Sequence, residues 1–286
     1  MTASEPAPRV QSTLVNGIEI SWAEWGDNAS PTLLLVHGMG FHGRCWDQLA
    51  RLLHSFRIVA IDLRGHGRSG KSLPVSWDQF GSDLANFIVR LDLRAVVAAG
   101  HSFGGHCVIQ AAARLPDRFE RVVVIDPVVL APQAYTATQS DNHRVQRISR
   151  RRNVWESPQR MVKALRDRAS FSSWRLDVLK DYCEFGLVRV GDHYELACEP
   201  SFEASVYKGT MEFDIYDVIA HVSTPVTVVR AKSNRVAGAR KNFLSSPTWP
   251  GLAEAFQDGQ DIYLPENSHF IPMEDPGLIA AIIQPS

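Results

Sequence analysis

The sequence has few cysteines, and no two of them are spaced as a pair. Its 286 residues include four, Cys45, Cys107, Cys183 and Cys198. Without C-x-x-C spacing, the pattern excludes the common zinc clusters and the disulfide framework of a small secreted protein. We therefore expect buried free thiols, no metal and no cofactor.

The sequence also has almost no net charge and no long apolar run. The formal net charge is −1 at pH 7, so no global field attracts nucleic acid or an anionic membrane. No run approaches the roughly 18 apolar residues of a membrane-spanning helix. Residues 1–8 also lack the apolar segment of a signal peptide. We expect a cytoplasmic protein that acts on a small molecule, without a nucleic-acid or membrane partner. The oligomeric state stays open, a homodimer included.

Short apolar runs, separated by stretches with helical periodicity, dominate the rest of the sequence. They are residues 32–36, 57–61, 95–99, 122–125, 225–229 and 261–264. Consecutive apolar positions bounded by turn residues are typical of strands buried on both faces of a parallel sheet. Before them, an alternating pattern around Asn16-Gly17 predicts a β-hairpin. The whole predicts an α/β fold with a doubly wound, mostly parallel sheet.

One long segment interrupts this alternation. Residues 132–213 contain no comparable strand run but several helix-like patches rich in arginine and aromatic residues. We therefore predict a core in two sequence pieces, residues 1–131 and 214–286, with residues 132–213 forming a helical cap between them.

A candidate nucleophile follows the third apolar run. Gly100-His101-Ser102-Phe103-Gly104 matches G-x-S-x-G, in which a sharp strand-to-helix turn exposes the serine hydroxyl. The helix N-terminus would stabilise negative charge that develops beside the serine. We predict that the backbone N–H groups of Phe103 and Met39 form the oxyanion hole, since Met39 lies in a glycine-rich loop after an earlier strand.

His269 is the candidate base. It follows the last apolar run and precedes the last helical stretch, so its loop can return an imidazole to the carboxyl edge of the sheet. There it would accept the Ser102 proton and pass it to the leaving group. His37 and His101 also lie near the site, in packing roles.

From about residue 15 onward the chain resembles the α/β-hydrolase superfamily. The resemblance rests on His37-Gly38, Gly65-His66-Gly67-Arg68-Ser69, the turn at Ser102 and His269. It implies the α/β-hydrolase fold with a cap and a Ser-His-acid triad. Many members carry the acid after the strand that corresponds to 225–230, where this chain has Asn234.

The missing aspartate leaves two interpretations. In the first, the acid is Asp126, at the end of the strand after the nucleophile helix, where some members of the superfamily place a carboxylate. In the second, the triad is incomplete and the protein is a weak or non-catalytic relative, because an amide at 234 cannot stabilise an imidazolium as a carboxylate does. We predict the first, with Ser102, His269 and Asp126 as the triad.

A serine nucleophile favours an acyl-enzyme mechanism over the alkyl-enzyme esters that an aspartate would form. We predict a serine hydrolase acting on a carboxylic ester of a small apolar or aromatic molecule. The alternative within enzymes is hydrolysis of a lactone or of a C–C bond beside a ketone. The alternative of another class is a ligand-binding pseudoenzyme that keeps the pocket.

The cap would shape the substrate pocket. We name His37, Trp155 and Trp174 as candidate pocket residues, since aromatic side chains suit an apolar or aromatic ligand. The basic run from Arg147 to Arg152 fits two interpretations, a solvated helix face or an anion site that favours acidic substrates.

Overall fold

The computed structural model describes residues 7–73, 75–135, 142–209, 213–233 and 243–284. The strands in these ranges are β1 (Arg9–Val15), β2 (Ile18–Trp25), β3 (Thr32–Val36), β4 (Arg57–Ile61), β5 (Val96–His101), β6 (Phe119–Ile125), β7 (Val154–Trp155), β8 (Leu187–Val190), β9 (His193–Leu196), β10 (Val226–Ala231) and β11 (Gly259–Leu264). The α-helices are α1 (Asp47–Ala50), α2 (Trp77–Arg90), α3 (Phe103–Arg114), α4 (Pro132–Tyr135), α5 (Asn142–Ser149), α6 (Pro158–Leu165), α7 (Leu176–Phe185), α8 (Pro200–Lys208), α9 (Tyr216–Ile219), α10 (Ile271–Glu274) and α11 (Pro276–Ile283).

Eight strands form the main sheet, in the order β1-β2-β4-β3-β5-β6-β10-β11. The pairs from β4 to β11 are parallel, while β1-β2 and β2-β4 are antiparallel. The predicted hairpin is present, and Asn16 and Gly17 in its turn both have positive φ, 49° and 76°. The α/β fold with a mostly parallel sheet is therefore confirmed.

Helices cover both faces of the sheet and explain why its central strands, such as β3 and β5, are apolar on both faces. In β3, Leu34 and Val36 face one core cluster, and Leu33 and Leu35 face the other. Helices α2, α3 and α9 contribute to the first cluster, and α1 and α11 to the second. Because β3 to β6 run parallel, their carboxyl ends meet at one edge of the sheet. The candidate site residues Ser102 and Asp126 follow β5 and β6 at this edge.

The described part of residues 132–213 contains helices α4 to α8 and also a small antiparallel sheet, in the order β7-β9-β8. The sequence analysis missed this sheet because its strands have only two to four residues, and β8 and β9 include Arg189, His193 and Glu195. Gly191, with φ +57°, makes the turn between β8 and β9. The limits of the cap, 131/132 and 213/214, stay predictions.

No helix within the described ranges is long and apolar enough to cross a membrane.

Candidate active site

Ser102 occupies a strained turn between β5 and α3. Its φ of 57° and ψ of −119° lie in a region that non-glycine residues rarely adopt. The glycines on either side permit the turn: a β-carbon at Gly100 would lie 2.6 Å from the Gly104 carbonyl oxygen, and one at Gly104 would lie 2.3 Å from the Val36 oxygen. The G-x-S-x-G spacing thus reflects two close backbone contacts.

The structure brings Ser102 and His269 together from distant parts of the sequence. Ser102 Oγ lies 2.9 Å from His269 Nε2, which is hydrogen-bonding distance. Both residues are nearly buried, with 7% and 8% of their surface exposed. The geometry allows the imidazole to take the hydroxyl proton directly.

Asp126 lies on the other side of the imidazole. Its Oδ2 is 2.6 Å from His269 Nδ1, and the residue is fully buried. The Oδ1 atom accepts hydrogen bonds from Ala231 N–H at 2.9 Å and Ser246 Oγ at 2.5 Å. It also lies 3.2 Å from Thr248 Oγ1, whose hydroxyl donates to the Pro127 oxygen at 2.7 Å. With Nδ1–H donating to this carboxylate, Nε2 is left as the acceptor that faces Ser102.

The polar groups around Asp126 were missed by sequence reasoning. Ser246 and Thr248 lie in a segment without a recognisable motif, and the Ala231 donor is a backbone group at the end of β10. Asn234, the residue at the usual acid position, lies outside the described residues.

Two hydrogen bonds fix the main chain of His269. Its N–H donates to the Leu244 carbonyl at 2.9 Å, and its carbonyl oxygen lies 2.8 Å from His101 Nε2. Burial, together with the nearby His269, lowers the pKa of His101 to about 3. A neutral His101 that donates through Nε2–H therefore links the last residue of β5 to the candidate base.

This link predicts a positioning role for His101. His101→Phe keeps a ring but removes the donor, so we expect kcat for an ester substrate to fall about tenfold, the scale of one lost hydrogen bond. KM should change little, because His101 is buried beneath the base.

His101→Gln supplies the matched control, because its amide can again donate to the His269 carbonyl. We expect it to recover part of the lost kcat. A normal kcat in His101→Phe, with only a lower melting temperature, would show that His101 merely packs the core.

The predicted oxyanion residues lie beside the nucleophile. Phe103 is the first residue of α3, so its N–H has no acceptor within the helix. The loop with Met39 packs directly on the turn, since a β-carbon at Gly104 would also lie 2.5 Å from the His37 carbonyl oxygen. Their role as oxyanion donors stays a prediction.

Gly38, Gly40 and Gly43 also have the Gly-x-Gly-x-x-Gly spacing of dinucleotide-binding loops. That motif holds a pyrophosphate at the N-terminus of the helix it opens. Here the glycines lead into one 3₁₀ turn, Gly43–Trp46, and the four-residue α1. These glycines therefore match the dinucleotide-binding motif only in their spacing. The absence of a cofactor stays a prediction.

The structure places His37 inside the protein rather than in a pocket. It is fully buried, its Nε2 accepts from Leu63 N–H at 3.0 Å, and its Nδ1 lies 2.7 Å from the Gly38 oxygen. Burial lowers its pKa well below the usual range. With both ring nitrogens bound to backbone, His37 fixes the loop and has no ring nitrogen left for a substrate.

The two candidate tryptophans belong to the hydrophobic cluster of the inserted segment. Trp155 stacks under Arg152, at 4.1 Å, and Trp174 lies 5.7 Å from the ring of Phe41. Phe41 follows the glycine-rich loop, so Trp174 contacts a residue next to that loop. Both side chains are mostly buried, and their contact with substrate stays a prediction.

Asp62 organises the second glycine-rich loop, the segment 65–69. Its carboxylate accepts from Gly43 N–H at 2.7 Å and Arg68 N–H at 2.9 Å. Burial raises the pKa of Asp62 to about 6. A β-carbon at Gly67 would lie 2.2 Å from this carboxylate, so the glycine is required by packing and carries no chemistry of its own.

These observations agree with a comparison against protein families. The model of the alpha/beta hydrolase family matches residues 33–282, which is most of the chain. The chain belongs to the alpha/beta hydrolase family.

Individual relatives match this chain either over part of its length or at low identity. Lipase LipV of Mycobacterium tuberculosis is 38% identical over 112 residues, 39% of this chain and 43% of the lipase. The 2-(acetamidomethylene)succinate hydrolase of Mesorhizobium japonicum is 25% identical over 248 residues, 86% of each chain. The chain thus spans less than half the length of the first relative and most of the second.

Among solved structures, E-2-(acetamidomethylene)succinate hydrolase superposes with a TM-score of 0.80. It is 21% identical in sequence, with 96% of this chain and 97% of that chain covered. At this identity the likeness concerns the fold.

Proposed function

We propose that the protein is a serine hydrolase that cleaves a carboxylic ester through an acyl-enzyme. The observation that carries the proposal is the continuous hydrogen-bonded chain from Ser102 through His269 to Asp126. Nucleophile, base and acid in this order are the arrangement that activates a serine hydroxyl near neutral pH.

In the first step, His269 Nε2 takes the proton from Ser102 as Oγ attacks the ester carbonyl. The N–H groups of Met39 and Phe103 would hold the oxyanion, and the Asp126 carboxylate stabilises the imidazolium. His269 then gives its proton to the departing alkoxide, leaving an acyl group on Ser102.

In the second step, water takes the place of the alcohol. His269 removes a proton from the water, hydroxide adds to the acyl carbonyl, and collapse of the intermediate releases the acid. The imidazolium returns the proton to Ser102 Oγ. The cycle uses no cofactor.

The names of relatives support an ester substrate. Relatives of this chain carry the names lipase, esterase and hydrolase. A lactone would be opened by the same steps and remains the alternative within enzymes, as does a C–C bond beside a ketone.

Covalent labelling of Ser102 tests the proposal. A fluorophosphonate should modify the protein once, on the peptide that contains Ser102, and should abolish turnover of p-nitrophenyl acetate. Prior denaturation should prevent the labelling, because the reactivity depends on His269. A folded protein that binds ligands but neither reacts with the probe nor hydrolyses any ester would instead be a pseudoenzyme.

A further inference from the structure

The candidate oxyanion loop, residues 38–42, begins with a tight turn. Phe41 N–H donates to the Gly38 carbonyl at 3.2 Å, and Gly40 has a φ of 77°. Met39 and Gly40 thus hold the two central positions of a β-turn, the second of which favours glycine. Because the two residues are adjacent in the turn, contacts that hold Gly40 also set the direction of the Met39 N–H.

This loop lies against the turn of the candidate nucleophile. A β-carbon at Gly38 would lie 3.1 Å from His101 Nδ1, and His101 immediately precedes Ser102. No acceptor in the described ranges takes the N–H of Met39. That N–H is therefore available to an oxyanion at Ser102, provided that the loop keeps its position.

An ion pair of the inserted segment packs on Gly40. A β-carbon at Gly40 would lie 2.7 Å from Glu203 Oε1 and 3.3 Å from Arg151 Nη1, and these two side chains are paired with each other. Glu203 is 4% exposed. Burial raises the pKa of its carboxyl, and Arg151 opposes this shift. The carboxylate fills the space that a side chain at position 40 would occupy, so Gly40 cannot move toward it.

Tyr182 extends the contact to the next two residues of the loop. Its hydroxyl accepts from Arg151 Nη2 at 3.2 Å, and its ring lies 5.4 Å from the ring of Phe41. Burial lowers the pKa of His42 to about 4, so a neutral imidazole donates through Nε2–H to the Tyr182 carbonyl at 3.1 Å. We call Arg151, Tyr182 and Glu203 the loop clamp, because together they contact residues 40, 41 and 42.

Helix α8 gives the loop clamp a fixed base on the core. Phe202, next to Glu203, packs on the second glycine-rich loop, where a β-carbon at Gly65 would lie 2.1 Å from its ring. Further along α8, the Val206 carbonyl accepts from Trp77 Nε1 at 2.9 Å. Since both contacts join α8 to the core, the carboxylate of Glu203 has a defined position relative to the sheet.

We propose that the loop clamp fixes the candidate oxyanion loop so that the Met39 N–H points at the carbonyl attacked by Ser102. Its members are then positioning residues, which act through the loop and not on the reacting atoms. The proposal rests on the proposed function for the reaction at Ser102. It makes part of the inserted segment a requirement for the chemical step.

A pair of esters that differ in one atom tests this role. In p-nitrophenyl thionoacetate, sulfur replaces the carbonyl oxygen of p-nitrophenyl acetate, and sulfur is a weak hydrogen-bond acceptor. An oxyanion hole therefore favours the oxygen ester. We expect Glu203→Ala to lower kcat for p-nitrophenyl acetate about tenfold, less than the roughly 10²–10³-fold loss on removing an oxyanion donor. The preference for the oxygen ester should fall by a similar factor, with little change in KM.

Two variants control for other effects of the substitution. Glu203→Gln keeps the shape beside Gly40 and can still accept from Arg151, so it should recover most of the lost kcat. Glu199→Ala is the matched control, because Glu199 lies at the start of the same helix and forms an exposed ion pair with Lys71. A wild-type preference in Glu203→Ala, or equal losses in Glu203→Ala and Glu199→Ala, would overturn the proposal.

A double variant guards against loss of folding. Glu203→Ala leaves the Arg151 charge without its carboxylate, which is costly for a buried pair. In Arg151→Met/Glu203→Ala both charges are gone, but the contact with Gly40 is still missing. This variant should melt near the wild-type temperature and show the same lowered preference for the oxygen ester. A folded double variant with the wild-type preference would reject the loop clamp.

Hydrogen exchange separates this proposal from the proposed function. Backbone amides of residues 37–46 should exchange faster in Glu203→Ala than in the wild type or in Glu199→Ala, because the loop opens more often. Faster exchange, together with a wild-type protein that cleaves no ester, would leave the loop clamp standing and reject the esterase proposal. Unchanged exchange in Glu203→Ala would reject the loop clamp.

Discussion

Ser102→Ala is expected to lower kcat for p-nitrophenyl acetate by about 10⁶-fold, the scale found when a triad serine is removed. The alanine keeps the β-carbon, so the strained backbone at φ 57° is unchanged. What disappears is the oxygen that lies 2.9 Å from His269 Nε2. Loss of turnover with an unchanged melting temperature would show that the variant is folded and has lost the chemical step.

A second serine provides the control. Ser205 Oγ donates to the Phe202 carbonyl within α8, and Ser205→Ala should keep wild-type activity. If Ser102→Ala retained even one hundredth of wild-type kcat, Ser102 would not be the nucleophile and the acyl-enzyme proposal would fail.

Asp126→Asn is expected to lower kcat by roughly 10⁴-fold, the scale of an amide in place of a triad carboxylate. The surroundings of Asp126 determine how the amide must lie. Ala231 N–H is a fixed donor at 2.9 Å, so the amide oxygen must face it and the NH₂ group must face His269. His269 Nδ1 then becomes an acceptor, the proton moves to Nε2, and Nε2 can no longer accept from Ser102.

Two further variants test whether kcat depends on the carboxylate of Asp126. Ser246→Ala removes one donor to Asp126 but leaves the carboxylate, so kcat should fall about tenfold or less. Asn234→Ala should leave kcat unchanged if Asp126 is the acid of the triad. An Asp126→Asn enzyme within tenfold of wild type would show that His269 takes its orientation from another group.

Strand order predicts where the candidate acid lies. Parallel strands end at the same edge, and Asp126 follows the strand after the nucleophile helix. In the structure β6 is paired with β5, in parallel. The prediction needed two apolar runs, one crossover and the resemblance to the α/β-hydrolase superfamily, some members of which place a carboxylate at this strand end.

Other features depended on contacts that no sequence pattern encodes. The small sheet β7-β9-β8 has strands too short and too polar to stand out. His37 has the residue type of a site histidine, but its two backbone hydrogen bonds place it in the scaffold. Ser246 and His101 acquire their partners only when segments far apart in sequence meet at the sheet edge.

The unit β5–α3–β6 carries both Ser102 and Asp126, whereas His269 comes from the far end of the chain. The spacing between the candidate nucleophile and the candidate acid is therefore independent of the length and content of residues 132–213. We expect insertions or deletions in this segment to change substrate preference and leave the chemical step intact, as long as the final loop still returns to β5 and α8 still packs on the candidate oxyanion loop.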